Sequence, residues 1–297
     1  MEQTNKKQIR FITNPVSGAK SKKNLESLIN FNLNKDIFDF ELCYTQHSGH
    51  AVELSREAAD AGYFAVVAVG GDGTINEIGE GLSGTKTALG VVPFGSGNGF
   101  AYHIGIRRDI TKAIQLLNKC HISKIDTGTA NGRFFINVAG LGLDATVAFK
   151  TKFNKKRGFI PYFINTLKES INFKYLRLKI ITEEKSWEGE YAMAVVANGS
   201  VYGYDFTIAP LASLNDAKFD VVLVKKMPVF KYFFLIPRML SKSIHKSKIV
   251  EYFKTADIHI ENMDGGYFHV DGEGFESSDA IHFQINPSSL YLLSSPN

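Results

Sequence analysis

The run Phe64–Val69, FAVVAV, carries no strongly polar residue and passes without a break into GGDGTINE, Gly70–Glu77. A strand with one wet face alternates apolar and polar residues. An unbroken apolar run marks a strand buried on both faces, and such strands belong to parallel sheets covered by helices. A glycine turn leading into a helical pattern is the βα half of that unit. The alternation repeats around it. Residues 10–13, 38–44 and 89–93 read as strands. Residues 25–31, 51–61 (closed by Gly62), a stretch from near Thr74 and residues 110–117 read as helices. The expectation is a doubly wound α/β domain with a mostly parallel sheet.

The pattern changes after about Asp126. Residues 134–138, 177–182, 190–198, 218–224, 258–261, 267–270 and 281–285 read as strands separated mainly by turns. Helical segments are expected only near 161–170 and 230–243. Runs of strands with few helices predict a second, mainly antiparallel domain. No Pro/Gly/Ser-rich linker separates the two, and the chain holds no internal repeat.

Bulk properties limit the function. The net charge of +4 over 297 residues lacks the strong basic stripe expected for nucleic acid, and suits loose attraction to an anionic membrane. Cys43 and Cys120 have no metal or redox spacing and fit a reducing compartment. The N-terminus MEQTNKKQIR lacks a signal peptide's apolar core. The most apolar later stretch, MPVFKYFFLIPRML (227–240), is too short and too charged to span a bilayer. A cytoplasmic protein is expected.

Three glycine-rich loops follow strands: NPVSG (Asn14, Pro15, Val16, Ser17, Gly18), GGDGTIN (Gly70, Gly71, Asp72, Gly73, Thr74, Ile75, Asn76) and PFGSGNGFA, with Ser96, Gly97 and Asn98 at its centre. Each alone reads as a tight turn. In a doubly wound sheet, loops at the carboxyl ends of strands converge on one crevice, where glycine lets backbone N–H groups approach phosphate. The P-loop pattern is absent. G-x-G-x-x-G fails at Asn76, and the looser Gly140-Gly142-Ala145 match lies outside the parallel region, so it reads as a glycine-rich bend.

Asp72 would repel bare phosphate. It is sensible if Mg²⁺ lies between, since Mg²⁺ is held by one or two carboxylates plus phosphate oxygens. The same acid would also suit the N-cap of the helix expected near Thr74. Near the C-terminus, HVDGEGFE places Asp271 and Glu273 on either side of Gly272. A carboxylate there can take a hydroxyl proton, although from spacing alone a solvated hairpin turn is the favoured reading. Asp126 in KIDTGT and Asn215, Asp216 and Asp220 in SLNDAKFD stand at strand ends, where they suit turns; Asp216 equally suits a metal. The histidines form no H-x-x-x-H or H-E-x-x-H pattern and read as surface or satisfied polar groups. No G-x-S-x-G elbow supports serine-hydrolase chemistry.

NPVSG, VAVGGDGTINEIGEGL, LGVVPFGSGNGFA, KIDTGTANGRFFINVAGLGLDA, NDAKFD and VDGE, in this order and over nearly the whole chain, resemble the diacylglycerol kinase catalytic-domain family. GGDGT alone is also shared by NAD kinases and phosphofructokinases. The resemblance implies an ATP-binding α/β domain (1–125, with 288–297 returning to it), a β-sandwich lipid-substrate domain (126–287) and an active site in the cleft between them. It implies ATP held by Asn14 to Gly18, Thr45, Gly70 to Glu77, and Ser96 to Asn98. Glu273 matches the acceptor of the lipid hydroxyl proton, Asp271 and Asp126 match supporting acids, and Asp72 matches the acid serving Mg²⁺. Asp216 matches a second metal site completed by carbonyls of Ser213 and Lys218. Two positions depart from the family: Ala217 stands where glycine is common, and Gly95-Ser96-Gly97-Asn98 is closer to sphingosine kinases than to bacterial diacylglycerol kinases.

The expected activity is transfer of the γ-phosphoryl of Mg·ATP to a lipid hydroxyl, of diacylglycerol or a related lipid. A sphingoid-base or ceramide kinase, an NAD-kinase-like enzyme on a soluble substrate and an inactive nucleotide-binding protein are the rivals. KTKFNKKR followed by GFIPYFI (150–164) and KKMPVFKYFFLIPRML (225–240) suit docking at the inner face of a membrane, and equally suit core helices beside solvated basic loops. A homodimer is compatible with the sequence.

Overall fold

The computed structural model describes residues 6–15, 24–95, 97–151, 173–277 and 280–294. The chain divides into two units, residues 1–125 with 288–297, and residues 126–287.

The first unit runs β1 (Lys7–Thr13), α1 (Leu25–Asn32), β2 (Phe38–Tyr44), α2 (His50–Asp60), β3 (Ala65–Gly70), α3 (Asp72–Leu82), β4 (Ala88–Pro93), α4 (Gly99–His103) and α5 (Ile110–Leu117). Its strands pair in parallel in the order β2-β1-β3-β4. The end of β17 (Ala280–Leu293) joins beside β4, with Tyr291 opposite Ala88. β3 and β4 are buried at every residue, because helices cover both faces. On one face Gln115 of α5 donates to Asn32 of α1. On the other, α2 and α3 approach so closely that a Cβ on Gly81 would lie 2.7 Å from the Val52 carbonyl oxygen.

The second unit is β-rich. β5 (Ile122–Ala130) enters it from the first unit. There follow β6 (Arg133–Phe135), β7 (Val138–Gly142), α6 (Leu143–Thr151), β8 (Leu176–Thr182), β9 (Ser186–Ala197), β10 (Val201–Gly203), β11 (Phe206–Thr207), β12 (Phe219–Lys225), β13 (Val250–Thr255), β14 (Asp257–Asn262), β15 (Tyr267–Val270) and β16 (Glu273–Glu276). β9 is shared between two groups of strands. Its first half pairs with β8, and its second half with β7 on one edge and β12 on the other, all antiparallel. Alternate residues of the two groups meet in one core: Leu141, Val196 and Val221 from one, and Ile180, Ile260 and Phe283 from the other. This two-residue period is that of a β-sandwich.

The far side of β9 and β12 is buried as well. Val195, Val222 and Val224 pack beneath Ile208, Leu235 and Ile244, which explains why β12 lacks polar alternation. Leu235 opens a short helix, Leu235–Leu240, flanked by 3-10 turns at Val229–Phe234 and Ile244–Lys246, in place of one continuous helix over 230–243. The helix expected near 161–170 lies outside the described residues. Gly140 and Gly142 form a strand running into α6 and not a bend. A Cβ on Gly140 would lie 2.7 Å from the Ala194 carbonyl oxygen, so glycine serves close strand approach. No helix among the described residues is long and apolar enough to cross a membrane.

Candidate active site

In the first unit β1 lies between β2 and β3, so the connections leave its two sides in opposite directions. The carboxyl ends of β1 and β3 form the switch point where open α/β sheets bind ligands. Asn14 and Pro15 follow β1, and Gly71–Gly73 follow β3, which ends at Gly70. Ser17, Gly18 and Ser96 lie outside the described residues. Buried Thr45 follows β2, its N–H bonded to the Thr13 carbonyl at 3.0 Å.

The second and third glycine loops pack backbone against backbone. Phe94 N and Gly95 N donate to the Gly70 carbonyl at 2.8 and 3.1 Å. A Cβ on Gly95 would lie 2.5 Å from the Gly71 Cα, so no larger residue fits. Asn98, in the left-handed region at φ 54° and fully buried, clamps the loop. Its Oδ1 accepts from Gly95 N at 2.9 Å and its Nδ2 donates to Gly95 O at 2.8 Å. The Asn98 amide is therefore a fastener of the loop. Arg108 adds a cation through a 2.9 Å bond to the Gly95 carbonyl, and no motif announced it.

Asp72 is the first residue of α3, and Gly71 takes the N-cap position. The Asp72 carboxylate instead reaches across the loops and accepts from Phe100 N at 3.1 Å. Thr74 continues the turn against Gly70, and Asn76 follows on the same helix. Glu77 accepts from Ala51 N at 3.2 Å, which ties α3 to the start of α2. A carboxylate set where Gly71 and Gly95 meet backbone to backbone, with the space above Gly73 open, suits Mg²⁺ beside a polyphosphate. Residues and ion fit. Burial pushes the His103 imidazole of α4 down to about 4, so it is neutral at physiological pH.

In the second unit Asp271 and Gly272 form a two-residue hairpin turn between β15 and β16, both with positive φ (45° and 83°). The turn is not simply solvated. The Asp271 carboxylate accepts from Ile136, Asn137 and Val138 N–H groups, each at 2.9 Å, while Asp271 N donates to Val138 O at 2.8 Å. Asp271 thus pins the β6–β7 junction to the hairpin that carries Glu273. Glu273 opens β16 with an exposed side chain, opposite Val270. The next residue, Gly274, lies so close to α6 that a Cβ would sit 2.4 Å from Phe149 backbone atoms.

Asp126 is buried, and its Oδ2 accepts from Ala217 N at 2.7 Å. Two asparagines that sequence reasoning passed over connect these acids. Asn198 Nδ2 donates to the carbonyls of Asp126 (2.8 Å) and Ile136 (2.7 Å), and Asn137 O accepts from Asn198 N and Gly199 N. Both are buried, where an amide bonded to two chain segments fixes their spacing. Asp126, Asn198, Asn137 and Asp271 therefore form one connected frame ending at the Glu273 hairpin.

The Asp216 loop is arranged differently. Ala217 adopts the left-handed conformation (φ 55°) that glycine would take more readily. Lys254 of β13 sends its ammonium into the loop, to Leu211 O at 3.0 Å, Asp216 Oδ2 at 2.8 Å and Asp220 Oδ2 at 2.7 Å. Tyr252 adds a 2.5 Å bond to Asp220 Oδ1. Burial pushes the Asp220 carboxyl up against these bonds. It also works against the Lys254 charge, but bonding to Asp216 and Asp220 outweighs it and holds the ammonium above its usual pKa. Ser213 Oγ bonds to Asn215, and Lys218 N bonds to Asp216. The Asp216 carboxylate thus carries the Lys254 ammonium on one oxygen and the Lys218 N–H on the other.

A glycine-looped α/β unit and an acid-framed β-sandwich define a kinase of the two-unit type. Family models agree: the diacylglycerol kinase catalytic domain matches residues 8–130, and the YegS C-terminal NAD kinase beta sandwich-like domain matches residues 137–294. A Bacillus subtilis diacylglycerol kinase is 30% identical over 274 residues, covering 90% of each chain. A Staphylococcus aureus diacylglycerol kinase is 29% identical over 275 residues, covering 90% of this chain and 86% of its own. A solved diacylglycerol kinase from Bacillus anthracis shares the fold at TM-score 0.76 and 20% identity, covering 99% of both chains. An Archaeoglobus fulgidus NAD kinase solved with ATP shares it at TM-score 0.55 and 12% identity, covering 97% and 94%. The chain belongs to the diacylglycerol kinase family of lipid kinases.

Proposed function

We propose that this chain transfers the γ-phosphoryl group of Mg·ATP to the hydroxyl of a membrane lipid, diacylglycerol or a close relative. The observation that carries the reading is the 30% identity to a Bacillus subtilis diacylglycerol kinase over 90% of both chains. Gly71–Gly73 and Gly97, with Asn14, hold the phosphates through backbone N–H groups, Pro15 shapes the first loop without donating, and Arg108 adds charge beside them. Bound Mg²⁺ supplies neutralisation of phosphate charge, with the Asp72 carboxylate as its candidate ligand. Glu273 takes the proton of the lipid hydroxyl as its oxygen bonds to the γ-phosphorus. The bond from that phosphorus to the bridging oxygen breaks, and ADP leaves. Asp271, Asp126, Asn137 and Asn198 keep the Glu273 hairpin in place. Glu273→Gln tests the role: ATP binding is retained and turnover is lost, whereas full turnover in the variant removes Glu273 from the chemistry.

A sphingoid-base or ceramide acceptor is the second reading, favoured by the Gly95-Ser96-Gly97-Asn98 sequence.

The lipid is met at the surface of an anionic membrane. Phe230, Phe233, Phe234 and Leu240 are exposed, while Leu235 and Ile244 of the same stretch anchor it to the sandwich. No acid occurs from Lys225 to Lys248. Lys225 and Lys226 pair with Glu251 and Glu190, and the segment further carries Lys231, Arg238, Lys242, Lys246 and Lys248. Aromatic residues beside such charge suit the headgroup boundary. The companion segment at 152–164 lies outside the described residues. Sedimentation with anionic vesicles at rising salt tests the docking: binding at low salt that fades as salt rises supports it, and no binding at low salt refutes it.

A further inference from the structure

The histidines form no local metal motif in the sequence, yet strand pairing brings two of them together with a carboxylate. In β14, Asp257 and His259 are two residues apart and therefore point to the same face. Ile258 and Ile260 point into the sandwich core, so that face is the outer one. In β17, His282 lies directly opposite His259 in the antiparallel register, between core residues Ile281 and Phe283. The two imidazole rings stack with centroids 3.8 Å apart and planes within 8°. Both rings present Nε2 to one carboxylate: His282 Nε2 is 2.6 Å from Asp257 Oδ2, and His259 Nε2 is 3.7 Å from Asp257 Oδ1. All three donor atoms lie within 4.8 Å of one another.

We propose that Asp257, His259 and His282 form a site for a divalent transition-metal ion such as Zn²⁺ on the outer face of the sandwich. Two imidazoles and one carboxylate are the donor set for borderline ions of this class, whereas Mg²⁺ and Ca²⁺ require oxygen. A tetrahedral ion with bonds of about 2.0–2.2 Å spaces its ligand atoms roughly 3.4 Å apart. Binding requires the two stacked rings to tilt about their side-chain torsions, so that both Nε2 lone pairs converge on one point beside the Asp257 carboxylate. The backbone is held by pairing on both sides, with His259 also opposite Ile181 of β8, so the ligands are pre-positioned by the sheet. The exposed side leaves the fourth position to water. The neighbouring charges on this face, Lys179 and Glu261, pair with each other at 3.1 Å and do not compete for the ion. A bound ion would clip β14 to β17. The site is independent of the Mg·ATP chemistry and makes no use of the proposed lipid substrate.

The test is titration of the untagged full-length protein with Co²⁺ and Zn²⁺ in excess Mg²⁺, read by Co²⁺ visible absorption and by calorimetry. One equivalent is expected to bind. His259→Ala or His282→Ala, each at a partly exposed position, is expected to weaken binding by at least the about 10–100-fold that loss of an outer-sphere partner costs. The unfolding temperature of each variant without metal reports that it has folded, and Zn²⁺ should raise that temperature in the wild type only. A second candidate cluster, His47, His50 and Glu53, supplies the control. His47→Ala/His50→Ala should leave the equivalent in place. The proposal is overturned if no ion binds, or if binding survives both β14 and β17 variants and disappears with the control.

Discussion

Replacing Lys254 by Met keeps the aliphatic stem and removes only the ammonium that bridges Asp216 and Asp220. The Asp220 side chain is 0% exposed and that of Lys254 31% exposed, so the variant strands a buried carboxylate with Tyr252 as its remaining side-chain partner. Removing one partner of a buried ion pair costs about 3–5 kcal/mol, and the partial exposure of Lys254 puts the expectation at the lower end, about 3 kcal/mol. The assay is urea unfolding followed by the fluorescence of Trp187, the chain's single tryptophan, which packs against Phe253 at the sandwich edge. A loss below about 1 kcal/mol would mean that the contact behaves as a surface pair.

Gly95→Ala places a methyl 2.5 Å from the Gly71 Cα and should weaken ATP binding at least tenfold, or about 1.4 kcal/mol, by equilibrium dialysis. Asp271→Asn turns one acceptor into a donor facing a backbone N–H; it should lower stability by about 1–3 kcal/mol and reduce kcat more than it changes the KM for ATP. Because folded His103 has a pKa of about 4 against 6.5 for the free side chain, the unfolded chain takes up the proton first as pH falls. The His103 contribution is therefore complete above pH 6.5 and is lost between 6.5 and 4, on the order of 3 kcal/mol in all. His103→Gln should flatten the pH dependence of stability in that window.

The parallel layer was legible because its signals are local. FAVVAV is apolar throughout, and the glycines that follow are required where two loops touch backbone to backbone. The sandwich strands were legible from two-residue alternation at Ile281–Ile285, but β13 was missed because its residues are mostly half-buried, with no clean alternation. What sequence did not reveal depends on partners far away in the chain. Lys254 meets Asp220 only because β12 and β13 pair at that register. Asn137 and Asn198 join segments more than fifty residues apart, and no spacing rule connects them. Asp271 matched a family acid by position, while its role as an acceptor for three backbone N–H groups required the fold.

The central claim is tested most directly by offering the protein labelled ATP, Mg²⁺ and anionic vesicles carrying diacylglycerol, a sphingoid base or ceramide, with NAD in a parallel reaction, beside Glu273→Gln. The account predicts label in a lipid, diacylglycerol foremost, and none with the variant. Label in NAD, or no transfer to any lipid by the wild type, would contradict it.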